Sequence, residues 1–178
     1  RRLGVLTGGG DAPGLNAVIR AVVKSSLLTH RIRVTGILNG FAGLVENKHR
    51  ELDRDSIAGL LVRGGTILGT TNRGNPFDFV YRRPDGREEL IDASQTVLKN
   101  FDKLGLDALI VIGGDGSLAI AERLFREHRL PVVGVPKTID NDISATDATF
   151  GFAPALEVAT EALDRLHSTA ESHHRVML

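Results

Sequence analysis

The chain has 178 residues, 42% of them hydrophobic and 25% charged, and its 22 basic side chains balance 22 acidic ones; this is one globular domain's worth of sequence, without the cationic excess of a general polyanion binder. No run approaches the ~18 apolar residues of a membrane span and no secretory apolar segment opens the chain, so neither a nucleic-acid nor a membrane partner is expected. Cysteine is absent, which excludes a disulfide scaffold, a thiolate zinc site and a cysteine nucleophile and accords with a cytoplasmic protein, whereas 20 glycines against 4% aromatics point to backbone that turns tightly or approaches a ligand closely.

Residues 3–7 form an apolar run that stops at Gly8-Gly9-Gly10, the pattern of a buried strand entering a glycine loop. Over 15–28 the residues Leu15, Val18, Ile19, Val22 and Val23 fall at helical spacing, with Pro13 and Asn16 near the start. A second strand is expected over 34–38, interrupted by Gly36, and a short helix over 56–62 closed by Gly64. Residues 79–91 carry Pro84-Asp85-Gly86 between polar–apolar flanks, a hairpin signal. Asp92 or Ser94 then caps a helix with Val97, Leu98, Phe101 and Leu104 on one face, ended by Gly105.

Residues 109–112 are an uninterrupted apolar strand running into Gly113-Gly114-Asp115-Gly116-Ser117. A helix over 118–128, a fully buried strand over 132–135 stopped by Pro136, and a last helix over about 155–166 complete the pattern. The chain opens on Arg1-Arg2-Leu3 and closes on Val176-Met177-Leu178, which reads as an incoming buried strand, so both ends are expected to be cuts in a longer product. Short apolar strands alternating with amphipathic helices give the fold class: α/β, a parallel sheet covered on both faces. Ligands in such folds sit beyond the carboxyl ends of the strands.

Three of those ends carry unusual residues. In the loop Thr7-Gly8-Gly9-Gly10-Asp11-Ala12-Pro13-Gly14 the glycines let N–H groups converge and the following helix adds its positive end. The guest is then an anion, or the loop is only a tight strand-to-helix turn. The sequence fits neither G-x-x-x-x-G-K-S/T nor G-x-G-x-x-G with its acidic partner. The loop at 113–117 repeats the scheme, and its Asp115 is either a helix cap, worth about 1 kcal/mol, or a carboxylate holding a divalent cation against a phosphate. The third end, Pro136-Lys137-Thr138-Ile139-Asp140-Asn141-Asp142, puts two carboxylates on one face if it is extended. Anion cradles, a metal-holding carboxylate, cations and a carboxylate to accept an alcohol proton are the parts of phosphoryl transfer, and all are expected within one cleft. Arg63, Arg73 and Arg175 are candidate phosphate clamps.

The segment Gly9-Gly10-Asp11-Ala12-Pro13-Gly14-Leu15-Asn16-Ala17, the Gly113–Ser117 loop and the 136–142 segment resemble the phosphofructokinase family in order and spacing. Arg63-Gly64-Gly65-Thr66, Leu68-Gly69 and Ser172-His173-His174-Arg175 resemble it too. The likeness spans essentially the whole chain but only about the first half of a typical member. It implies a Rossmann-like three-layer domain over 1–178 that binds the nucleotide or phosphate donor, with a small β-hairpin insertion and the second, sugar-binding domain absent from this chain. It further implies Mg²⁺-dependent phosphoryl transfer to the 1-hydroxyl of fructose 6-phosphate by a homo-oligomer, tetramer or dimer.

Carried over by motif, Asp140 is the base for the sugar hydroxyl, Thr138 and Ile139 flank it as substrate contacts, and Asp142 supports the metal or the moving phosphoryl. Asp115 is the magnesium-linked aspartate. Gly9, Phe41, Arg73, Gly74, Gly114, Gly116 and Ser117 match donor-binding positions. Arg175 resembles the arginine that reaches the sugar phosphate across a subunit interface. Gly116 is the small residue found in ATP users, whereas Lys137 is frequent in pyrophosphate users; ATP is the favoured donor and pyrophosphate the alternative. A non-catalytic donor-binding module and a dinucleotide-dependent oxidoreductase are the competing readings, the latter disfavoured by the missing fingerprint. His173-His174 reads as a pair of solvent-facing side chains and not a metal site, and the hairpin at 79–91 either covers the donor site or decorates the edge.

Overall fold

The N-terminal apolar run has no polar side to offer water, and the structure buries it at the centre of a sheet. The computed structural model describes residues 1–177. In it, strand β1 (Arg2–Thr7) pairs in parallel with β2 (Arg33–Ile37) on one side and β6 (Ala108–Gly113) on the other. Strand β3 (His49–Leu52) lies antiparallel outside β2, and β7 (Val132–Pro136) lies parallel outside β6, giving the order β3-β2-β1-β6-β7. Helix α1 (Leu15–Leu28) carries the chain from β1 one way, and α4 (Asp115–His128) carries it from β6 the other way. The sheet therefore reverses between β1 and β6, where two helices leave in opposite directions and a crevice opens.

Both faces are covered, as the alternation requires. Leu15, Ile19 and Val23 of α1 pack on Val5, Val34 and Ile112. On the opposite face, Phe41 and Leu44 of α2 (Phe41–Val45), Val97 and Phe101 of α3 (Ser94–Lys103) and Leu124 of α4 pack on Leu6, Leu109 and Val111. A separate antiparallel hairpin joins β4 (Phe79–Arg82) to β5 (Glu88–Ile91) through the expected Pro84-Asp85-Gly86 turn. It stands on the α3 face of the domain next to the short 3₁₀ turn Pro76–Asp78. Neither proposed residue is the cap of α3, which is Ala93; Asp92, one residue earlier, accepts at Oδ1 from the Ser94 N–H at 2.8 Å.

Several expectations need correction. The main sheet is not wholly parallel, because β3 returns antiparallel after a turn through Asn47 (φ 56°); its exposed His49, Arg50 and Glu51 carried no apolar signal. The helix expected over 56–62 is two 3₁₀ turns, Asp55–Ile57 and Leu60–Val62, split where Gly59 takes φ 70°. Strand β7 is not fully buried: it is an edge, and Val133 is 57% exposed. Helix α4 starts at Asp115 rather than at 118, and the last helix, α5 (Phe152–His173), is longer than expected with no buried residue. Val176 and Met177 form no strand, and Leu178 lies outside the described residues.

The short helix α2 depends on one close approach. A Cβ on Gly43 would lie 1.7 Å from the Leu38 carbonyl oxygen, a backbone atom that cannot swing away. Gly43→Ala is expected to lower stability by about 1–3 kcal/mol, read as a fall in the urea midpoint at constant slope; an unchanged midpoint would show that the turn at Leu38 yields freely.

Candidate functional site

The two glycine loops leave the adjacent ends of β1 and β6 and are laced together. The Gly8 N–H donates to the Ile112 carbonyl at 2.9 Å, and the Lys137 N–H to the Gly113 carbonyl at 3.0 Å. Ser117, 8% exposed in the first turn of α4, sits where the loops meet. A Cβ on Gly8 would lie 2.4 Å from Ser117 Oγ, and one on Gly113 would lie 2.6 Å from Ser117 Cβ. Glycine at both positions is thus the condition for this approach. A third loop closes the side: Thr70 Oγ1 donates to the Gly9 carbonyl at 2.6 Å, and Gly9 N–H to the Thr71 carbonyl at 3.2 Å.

That third loop is itself held by buried polar groups. Asn16, 1% exposed, donates through Nδ2 to the carbonyls of Arg63 and Gly64, and its Oδ1 accepts from the Ile67 N–H at 2.8 Å. Thr7 Oγ1 donates to the Gly69 carbonyl at 2.8 Å. These bonds satisfy groups that would otherwise be left unpaired in the interior.

Between the loops lies a cleft of about 490 Å³. Gly9, Gly114, Gly116 and Ser117 line its glycine-rich end together with Asp115 and Lys137. Helix α4 presents its N-terminus there, and the converging amides and helix dipole favour an anion. Lys137 is 5% exposed, and its Nζ donates to the Gly10 carbonyl at 2.5 Å. Burial pushes its ammonium below the ordinary value of 10.5, with the Asp11 carboxylate partly offsetting the effect. A desolvated cation beside convergent N–H groups is a strong receptor for phosphate charge.

Among the described residues, no three His, Asp or Glu side chains gather as a metal cage. Asp115 is the acidic residue lining the cleft. Mg²⁺ is satisfied by one or two carboxylates when phosphate oxygens and water complete its shell. Asp115 therefore fits a cation that arrives with a phosphate, not one resident in the apo protein.

The three strand ends do not share the cleft equally. Lys137 enters it, but Thr138, Ile139, Asp140 and Asp142 lie outside its lining. The segment is also not extended past Thr138, because Asn141 turns it with φ 54°. Thr138 Oγ1 accepts from the Asp140 N–H at 3.0 Å and donates to Asp142 Oδ1 at 3.1 Å. Asp140 stands exposed on that turn, and Ile139 is 49% exposed. Asp142 is thus tied to Thr138 and not to the cleft.

The arginines are likewise not gathered in the cleft. Gly74 and Asn72 line it, whereas Arg73 between them is exposed and not among the lining residues, and Arg63 is exposed. Arg175 follows the 22-residue helix α5, about 33 Å from that helix's start at 1.5 Å per residue.

Sequence reading missed the far end of the cleft. Phe41 was expected there, but Phe77, Ala119, Ile120 and Arg123 line it as well. Gly116, Ala119, Ile120 and Arg123 recur at helical spacing from the start of α4, a stripe legible in the sequence once α4 is begun at Asp115. Phe77 carried no local signal, because its loop brings it to α4 only through the tertiary fold.

Fold and cleft define a doubly wound α/β domain with an anion-receptive switch point. The chain belongs to the phosphofructokinase family, whose family model, described as Phosphofructokinase, matches residues 2–178. It is 53% identical over 178 residues to the ATP-dependent 6-phosphofructokinase 2 of Clostridium perfringens, covering 100% of this chain and 48% of that protein. It is 50% identical over 177 residues to the pyrophosphate–fructose 6-phosphate 1-phosphotransferase of Streptomyces coelicolor, covering 99% of this chain and 48% of that one. Among solved structures it is similar to phosphofructokinase from Saccharomyces cerevisiae, with TM-score 0.78 and 32% identity over 98% of this chain and 25% of the yeast chain. The chain spans about half the length of the curated relatives it matches.

Lys137 gives the cleft a pH dependence of known sign. Anion binding needs the ammonium, and a depressed pKa means that the charge is lost at lower pH than in an ordinary lysine. Affinity for inorganic phosphate, measured by titration calorimetry, should fall as pH rises and begin to fall below 10.5. Lys137→Met should bind weakly and lose that dependence.

Proposed function

We propose that the protein carrying this chain transfers the terminal phosphoryl group of ATP to the 1-hydroxyl of fructose 6-phosphate, giving fructose 1,6-bisphosphate. Residues 1–178 are its donor-binding domain. One observation carries the choice of donor. The cleft does not end at the anion-receptive loops but continues along α4 from Asp115 to Arg123, about 12 Å at 1.5 Å per residue. That continuation is walled by Phe41, Phe77 and Ile120, which suits a flat apolar base and serves no purpose for a bare pyrophosphate. The relatives named as ATP-dependent 6-phosphofructokinases support the same reading.

In this reading the glycine loops, the α4 N-terminus and Lys137 hold the donor phosphates, and their fixed dipoles meet the charge that develops on transfer. Asp115 would be the protein carboxylate holding Mg²⁺ brought with the donor, an ion that would supply neutralisation of part of that charge. Arg73 and Gly74 border the donor, and Thr138 and Ile139 contact the sugar. Asp140 takes the proton of the 1-hydroxyl, and the Thr138–Asp142 hydrogen bond fixes the turn that presents it. Arg175 follows the end of α5 and is not among the residues lining the cleft, and in this reading it acts on the sugar phosphate of a neighbouring subunit in a homotetramer or dimer. The setting is glycolysis in the cytoplasm.

Pyrophosphate is the second reading, favoured by the buried Lys137 at the anion end and by the likeness to the Streptomyces coelicolor enzyme. Rates of fructose 1,6-bisphosphate formation by the full-length protein with each donor separate the two. A Cβ on Gly116 would meet nothing within 4 Å, so an aspartate there enters the cleft without strain. Gly116→Asp should cut kcat/KM for ATP by about two orders of magnitude through repulsion of the donor phosphates, with an unchanged melting temperature. Unaltered ATP kinetics would overturn that role. Asp140→Asn should lower kcat by about 10²–10⁴-fold while the sugar KM stays within about threefold; near-normal turnover would remove Asp140 as the base.

A further inference from the structure

The apolar wall of the cleft rests on a ring stack that the reaction does not itself require. Phe77 sits in the one-turn 3₁₀ segment Pro76–Asp78, whose backbone is held by the Asn75 Oδ1 accepting from the Phe77 N–H at 3.1 Å, by Asn75 Nδ2 donating to Asp78 Oδ2 at 3.0 Å and by the Ala93 N–H donating to the Pro76 carbonyl at 2.7 Å. Two side chains of α4 meet the ring itself. The Arg123 guanidinium lies 3.8 Å from the ring centroid, and the His128 imidazole stacks with centroids 6.4 Å apart and 7° between planes. Arg123 is held in turn by Glu127, with Nε to Oε1 at 2.7 Å. Both contacts fall within the range where aromatic and cation–π pairs attract.

Through charge His128 does little: the Asp92 carboxylate is held below its ordinary value chiefly by hydrogen bonds from Ser94, with Arg123 and His128 as smaller influences. The His128 Nε2 is buried and has no hydrogen-bond partner, an arrangement that ordinarily works against the folded state. A residue that tolerates an orphaned nitrogen at the end of a helix is serving through the surface of its ring.

We propose that His128 is a positioning residue for the nucleoside end of the donor: its ring presses Phe77 into register with Arg123, and the resulting wall holds the base. His128 itself lies outside the cleft's lining, behind Phe77. The proposal deepens the ATP reading above and rests on it.

The test is initial-rate kinetics of the full-length protein with ATP varied at saturating sugar, then sugar varied at saturating ATP. His128→Ala is expected to raise the KM for ATP about three- to tenfold, with kcat and the sugar KM within about twofold of wild type. His128→Phe keeps a stacking ring and removes the orphaned nitrogen, so it should restore the wild-type KM. A lower melting temperature for His128→Ala with an unmoved ATP KM would reduce His128 to packing and overturn the proposal. So would a His128→Phe enzyme as impaired as the alanine variant, since the ring surface would then not be what matters. Should His128→Ala fail to fold, His128→Leu, which keeps apolar volume without a ring, carries the same readout, with the same increase expected and an unmoved ATP KM again overturning the stack. A wild-type enzyme that turns over pyrophosphate but not ATP would instead overturn the donor reading, and this inference with it.

Discussion

The parallel pairing of β1 with β6 is the constraint on which the rest depends. Its register, Leu3 opposite Ala108 through Thr7 opposite Ile112, brings two strand ends to the same level. The chain must then leave from both ends at one place, where a Cβ at Gly113 would strike Ser117 Cβ and the Gly8 carbonyl, and one at Gly8 would displace the Ser117 hydroxyl. The glycine loops are in this sense a result of sheet geometry before they are a binding device. Their exposed amides are what remains after the packing problem has been solved, and the helix behind them orients the field.

Around that centre the structure uses buried polar groups as fasteners. Asn16 joins the first turn of α1 to the 63–67 loop, Thr7 joins β1 to Gly69, and Thr70 joins the same excursion to Gly9. A long irregular excursion is thereby locked to the sheet at three points, each too short and too directional to slip. Lys137 belongs to a different category. Its ammonium is withdrawn from water yet bonded to a carbonyl, a position whose electrostatic penalty an incoming anion relieves.

Most of the layering was legible because buried parallel strands must be apolar throughout. The runs ending at Thr7 and Gly113 were therefore located to within a residue or two. Elements governed by other physics were not legible. β3 is held by ladder bonds and charged side chains, so it offered no apolar pattern. β7 is as apolar as β6 and was read as equally buried, but burial depends on what lies beyond a strand and not on its composition. At the site, the glycine loops, Asp115 and Lys137 were read from residue type and spacing. Phe77, Arg123 and His128 were not, because they meet only through the fold, and the arginines read as clamps were assigned by charge alone.

The two edges of the main sheet are chemically unlike. At β3 the rim carries His49, Arg50 and Glu51, and a further strand would have to dock against desolvated charge. At β7 the rim carries Val132, Val133 and Val135 with a glycine between them and no charge until Lys137. Charge along one border disfavours a further strand there, whereas the apolar border at β7 already takes a parallel bridge from Phe150 at its end, beside Lys137.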